Sequence, residues 1–83
     1  MNDTKDKVRS FILGELQFRG SAEELTDQYP LIGNDVIDSL GIFHLVSYLE
    51  RQFGVQIEDH ELVPDNFGTI ERIATLVQEK QGA

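Results

Sequence analysis

The stretch GNDVIDSLGIFHLVSYLERQFG, from Gly33 to Gly54, restricts the fold of this chain more than any other. At roughly 100° per residue, Ile42, Leu45, Val46, Leu49 and Phe53 fall on one narrow stripe of a helix. Gly54 stands where a left-handed C-terminal residue is wanted. The spacing predicts a helix over about 40–53 that buries this stripe. Leu40 and Phe43 project away from it, beside His44, Ser47 and Arg51. Two uses stay open for these two large apolar groups: packing beneath a loop, or meeting a partner.

A buried stripe needs other elements to cover it. Residues of about 3–18 read as a first helix, capped by Asp3 or Thr4, with Val8, Phe11, Ile12 and Leu16 on its inner side and Gly20 past its end. Thr69 can cap a last helix whose inner face is Ile70, Ile73, Ala74 and Val77 and which frays before Gly82. In VQIEDHELVPDNFGT, Val55 and Ile57 alternate like a strand, but there is no second strand to pair with. Helical turns near 59–62 and 64–67 fit better, anchored by Val55, Ile57, Leu62 and Phe67. The connection from Arg19 to Asp38 is long for a small domain. Leu25, Tyr29, Leu31, Ile32 and Ile37 recur along it and can pin it across the helices. The expected architecture is all-α: a small bundle of three main helices plus one short helix, with a long ordered loop between the first two helices.

The chain has 83 residues, enough for a single domain over 1–83 with one modest core and little room for a deep cleft. It has no cysteine, which removes disulfides and thiolate metal sites. His44 and His60 are the only imidazoles, so a zinc site is not expected, and Glu58–Glu61 lacks the alternating acids and central glycine of a calcium loop. The N-terminal MNDTKDKVRS is polar and no apolar run could span a bilayer, which points to a cytoplasmic protein.

The formal charge is −8, and its placement is uneven. From Gly20 to Glu71 the acids are Glu23, Glu24, Asp27, Asp35, Asp38, Glu50, Glu58, Asp59, Glu61, Asp65 and Glu71, against the single base Arg51. Such a surface repels nucleic acid and anionic membranes and attracts basic protein surfaces. A merely solvated face accounts for the same charges.

Ser39 precedes the apolar-periodic run, where serine is among the commonest helix caps, at about 1 kcal/mol. The reciprocal glutamate or glutamine of a capping box is absent, because the residue three on is Ile42. A helix N-terminus also favours negative charge, so a phosphodiester on this hydroxyl would be accommodated. Ser39 and His44 do not form a nucleophile and base, since they lie roughly 140° apart around the helix. No phosphate loop and no other catalytic arrangement is present, and the chain reads as a non-enzyme.

Taken together, DVIDSLGIFHLVSYLERQFGV resembles the modification segment of acyl and peptidyl carrier proteins, the phosphopantetheine-binding carriers. ELTDQYPLIGNDVIDSL is similar to the loop entering that segment, and VQIEDHELVPDNFGTIERIATLV to the short third helix and the last helix. The resemblance implies that Ser39 carries 4′-phosphopantetheine, transferred from coenzyme A by a phosphopantetheinyl transferase, and holds an acyl or aminoacyl group as a thioester. Further partners would be an acyl- or aminoacyl-loading enzyme and a downstream transferase or synthase, meeting a monomeric carrier. Partner contact would fall on Asp38, Leu40, Phe43, Glu50, Glu58 and Glu61. The sequence departs from the family in one respect: after Asp38 the second helix keeps only Glu50 as an acid. Recognition through that helix rests more on Leu40 and Phe43 than on charge, with Glu58–Asp65 supplying the electrostatic part. The pattern looks more like a free-standing carrier of a polyketide or nonribosomal-peptide route than of a general fatty-acid pathway. The competing reading is an acidic helical interaction module with no prosthetic group.

Overall fold

The computed structural model describes residues 3–16, 18, 20, 21, 23–33, 37 and 39–82, with the side chains of Asp3 and Ser39 outside that description. Four helices follow one another: α1 (Asp3–Gly14), α2 (Ser39–Phe53), α3 (Pro64–Phe67) and α4 (Ile70–Gly82), with a 3₁₀ turn at Asp59–Glu61 before α3. Among the described residues no strand forms, and Val55 and Ile57 belong to the extended lead into the 3₁₀ turn.

α1 ends earlier than the sequence suggests. Gly14 is a weak helix former, and beyond it the ladder loosens. Glu15 N–H still donates to Phe11 O at 2.8 Å, but Leu16 N–H reaches back five residues to Phe11 O and Phe18 N–H six residues to Ile12 O, both at 3.4 Å. The unwound segment stays packed: Leu16 and Phe18 rest on the core, and Phe18 meets Tyr29 edge to face at 5.4 Å.

α2 ends at Gly54, whose φ of 67° is the left-handed conformation expected there. Its N–H donates to Glu50 O at 3.0 Å. Pro64 opens α3 at a position that needs no N–H donor. Thr69 Oγ1 accepts Arg72 N–H at 3.2 Å and so caps α4. α4 remains helical through Gly82 instead of fraying before it, because its last turn is anchored. Lys80 Nζ meets Glu61 Oε1 at 2.6 Å, and Gln81 Nε2 donates to Phe53 O at 3.4 Å.

α4 packs against each of the other three helices. Val8 and Ile12 from α1, Leu45 and Leu49 from α2, Phe67 from α3, and Ile70, Ile73 and Val77 from α4 are completely buried. Each such side chain contributes about 1.5–3 kcal/mol on burial. Leu76, unmarked by the sequence pattern, joins them. Of the stripe on α2, Ile42, Val46 and Phe53 lie at its half-buried margin.

The described residues of the long connection are held by both apolar and polar contacts. Leu25, Leu31 and Ile37 are buried in the core, with Tyr29 and Ile32 packed against it. Arg9 on α1 donates from Nε to Leu25 O at 3.0 Å and pairs through its guanidinium with Asp27. Lys5 approaches Asp27 at 3.3 Å. From the other side, Glu71 N–H donates to Asp27 O at 3.0 Å and Leu31 N–H to Gly68 O at 2.8 Å. These contacts tie the described part of the loop to α1 and to the α3–α4 junction.

Candidate functional site

The site is the first turn of α2 and the surface around it. Ser39 is the first residue of this 15-residue helix, and the first turn contains no acidic side chain. The positive end of the helix dipole lies at this turn, with no carboxylate in the turn to neutralise it. A phosphodiester at Ser39 fits this environment. Asp38 and the Ser39 side chain lie outside the described residues.

Leu40 is 71% exposed and Phe43 58%. Of the two uses open to them, packing under the loop is not what the structure shows. With exposed His44, Ser47 and Arg51 they make an outer face of α2 that is apolar near Ser39 and basic toward the far end. Val63, 39% exposed, adds an apolar group just before α3.

The acids proposed for partner contact occupy different situations. Glu50 is half-buried, and its carboxylate accepts Ile57 N–H at 2.9 Å. Glu58 is exposed, as are Asp59 and Asp65. Glu61 accepts Glu58 N–H at 2.9 Å through the same oxygen that meets Lys80. The Lys80 ammonium, with that backbone N–H, holds the Glu61 carboxyl below its ordinary range. Charge is thus divided across the surface: solvated carboxylates sit on the 3₁₀ turn and α3, while α2 offers apolar groups and Arg51.

Some structuring residues were missed in the sequence. Ser21 and Glu24 form a reciprocal cap within the long loop, with Ser21 N–H on Glu24 Oε1 at 3.1 Å and Glu24 N–H on Ser21 Oγ at 3.3 Å. Its S-x-x-E spacing was legible. The Glu50–Ile57 bond was not, because it closes only after the chain turns at Gly54.

Comparison with known proteins agrees with this arrangement. Residues 7–77 match the family model described as "Phosphopantetheine attachment site". Over 59 residues, 71% of this chain and 68% of the relative, the sequence is 37% identical to "Probable acyl carrier protein PigG" of Serratia sp. (strain ATCC 39006). A chain in a structure described as "Crystal structure of FAD-dependent dehydrogenase" superposes with a TM-score of 0.76 at 31% identity, covering 84% of this chain and 97% of that one. The chain belongs to the phosphopantetheine-binding carrier family: it is an acyl carrier protein with a covalently bound 4′-phosphopantetheine, and not itself an enzyme.

Proposed function

We propose that Ser39 is the attachment point and that 1–83 acts as one carrier domain. The observation that carries this reading is the position of Ser39 as the first residue of α2, beside the exposed Leu40 and without an acid in the first turn. In the loading step, Ser39 Oγ attacks the phosphorus of coenzyme A that bears the pantetheine. The new bond is a serine phosphodiester, the pyrophosphate bond breaks, adenosine 3′,5′-bisphosphate leaves, and the serine proton passes to the transferase. When bound, the group supplies a terminal thiol for thioester chemistry, which a chain without cysteine lacks.

The residues of this chain present that thiol to other proteins. Leu40 and Phe43 are the apolar contacts of partner recognition, and Glu58 and Asp38 add charge. Glu50 and Glu61 act on the same surface by holding its backbone, through Ile57 and Glu58. Partners are the phosphopantetheinyl transferase, an acyl- or aminoacyl-loading enzyme, and a downstream transferase or synthase. A cytoplasmic monomer serving a polyketide or nonribosomal-peptide route suits an α2 poor in acids. No described helix is long and apolar enough to cross a membrane. The similarity to a chain from a structure described as that of a FAD-dependent dehydrogenase supports such a dehydrogenase as one more partner class.

Incubation with coenzyme A and a broad-specificity transferase tests the attachment. The intact mass should rise by one phosphopantetheine, and Ser39→Ala should take up none. An unchanged parent mass, under conditions that modify a control carrier, would favour the interaction module instead.

A further inference from the structure

Beside the outer face of α2 lies a half-open groove of about 520 Å³ between α1 and α2. Its aromatic part is the stacked pair Phe11 and Tyr48, with ring centroids 4.4 Å apart. Both rings are only half-buried, and burial pushes the Tyr48 hydroxyl above its ordinary pKa. His44, Ser47 and Arg51 line the α2 side. Gly14 lines the α1 side with Glu15, and a Cβ built on Gly14 would meet nothing within 4 Å. Arg51 forms no ion pair with any described residue, its Nε donating weakly to Ser47 O at 3.4 Å. The groove is of the size that takes small ligands, and it pairs an aromatic surface with a few polar groups.

We propose that this groove receives the distal part of the phosphopantetheine arm, with the start of its thioester-linked group, when no partner is docked. The inference rests on Ser39 carrying the arm. His44 stands roughly 7.5 Å and Arg51 about 18 Å along the helix from Ser39, a span within reach of an extended arm of this kind. Going round α2 from Ser39 toward His44, the helix presents Phe43 and then Leu40, both exposed, so the route is apolar and open. At its end the chemistry matches the arm. Arg51 and Ser47 supply donors for amide carbonyls, Glu15 supplies an acceptor for an amide N–H, and the two rings receive methylene groups. Val8, Ile12, Leu45, Leu49, Ile73 and Val77, by contrast, are closed to solvent and packed together in the core. The mixed lining selects the amide-bearing arm and a short polar acyl group over a long alkyl chain. Seating the thioester there would shield it from water between encounters.

The test is nuclear magnetic resonance of the isotopically labelled chain, loaded from coenzyme A by a transferase and verified by intact mass. Holo minus apo spectra should show shifts at the amides of Gly14, His44, Ser47 and Arg51. NOEs should connect pantetheine methylene protons to the Phe11 and Tyr48 rings. Gly14→Leu should load normally and lose these NOEs, because its side chain fills the groove without touching the core. Arg51→Gln, an exposed change that leaves the fold alone, should weaken them. Shifts confined to the first turn of α2, with no NOE to either ring, would overturn the proposal. Failure to gain the phosphopantetheine mass is a separate result: it removes the Ser39 reading, and the groove proposal with it.

Discussion

The carboxylate of Glu50, on α2, accepts the backbone N–H of Ile57 at 2.9 Å, across the turn made by Gly54. The single acid of α2 therefore fastens the segment that leads to the 3₁₀ turn. Glu50→Ala should leave the Ile57 N–H without its charged acceptor and destabilise the fold by about 1.5–3 kcal/mol. Urea denaturation reads this directly. Loading of the folded variant from coenzyme A should stay close to the parent rate.

Leu40 and Phe43 should behave in the opposite way. Leu40→Asp and Phe43→Asp change exposed positions, so stability should move by no more than about 0.5 kcal/mol. Contact with a transferase or loading enzyme would lose a central apolar anchor, and kcat/KM for loading should fall by roughly tenfold or more, the equivalent of about 1.4 kcal/mol. Steady-state loading assays check this, with thermal denaturation confirming that the variants fold.

Gly68 joins α3 to α4 where the backbone comes close to itself. Its N–H donates to Pro64 O at 2.8 Å, and an added Cβ would stand 2.7 Å from that same oxygen. The carbonyl of Gly68 also accepts Leu31 N–H, so any shift there loosens the long loop. Gly68→Ala should destabilise the protein by about 1–3 kcal/mol, the usual scale for forced repacking. A smaller Cm with an unchanged denaturant slope is the expected signature.

The Lys80–Glu61 pair gives a pH-dependent contribution. Glu61 is held below its ordinary value of 4.5, first by Lys80 and then by the Glu58 N–H. A carboxyl whose folded pKa is lowered stabilises the fold above its unfolded value, and that stabilisation disappears as pH falls through the folded value. Lys80→Met should therefore cost about 1 kcal/mol or less near pH 7. The gap between variant and parent should narrow as pH falls below the ordinary carboxyl value of 4.5, and close once pH has passed through the lower value of Glu61 in the fold. Parallel urea titrations at several pH values measure it.

Local signals made much of the bundle legible. The stripe from Ile42 to Phe53, the left-handed Gly54, the cap at Thr69 and the anchoring residues of the long loop all announce themselves through spacing or turn chemistry. The end of α1 did not, since Leu16 and Phe18 keep an apolar pattern after Gly14 while the ladder unwinds beneath them. Contacts that cross the fold left no trace in the pattern either. Lys80 to Glu61, Glu50 to Ile57 and the Arg9–Asp27 clamp each need the tertiary arrangement before the partners are neighbours. At the site, the exposure of Leu40 and Phe43 was an open choice in the sequence, because periodicity sets a face and not what covers it.

The central claim is that Ser39 carries the arm. The most direct measurement is intact and peptide-level mass spectrometry of the parent chain and Ser39→Ala after incubation with coenzyme A and a broad-specificity transferase. One phosphopantetheine mass should appear on the parent, on the peptide containing Ser39, with none on the variant. Equal modification of Ser39→Ala, or none on the parent while a control carrier is modified, would contradict it.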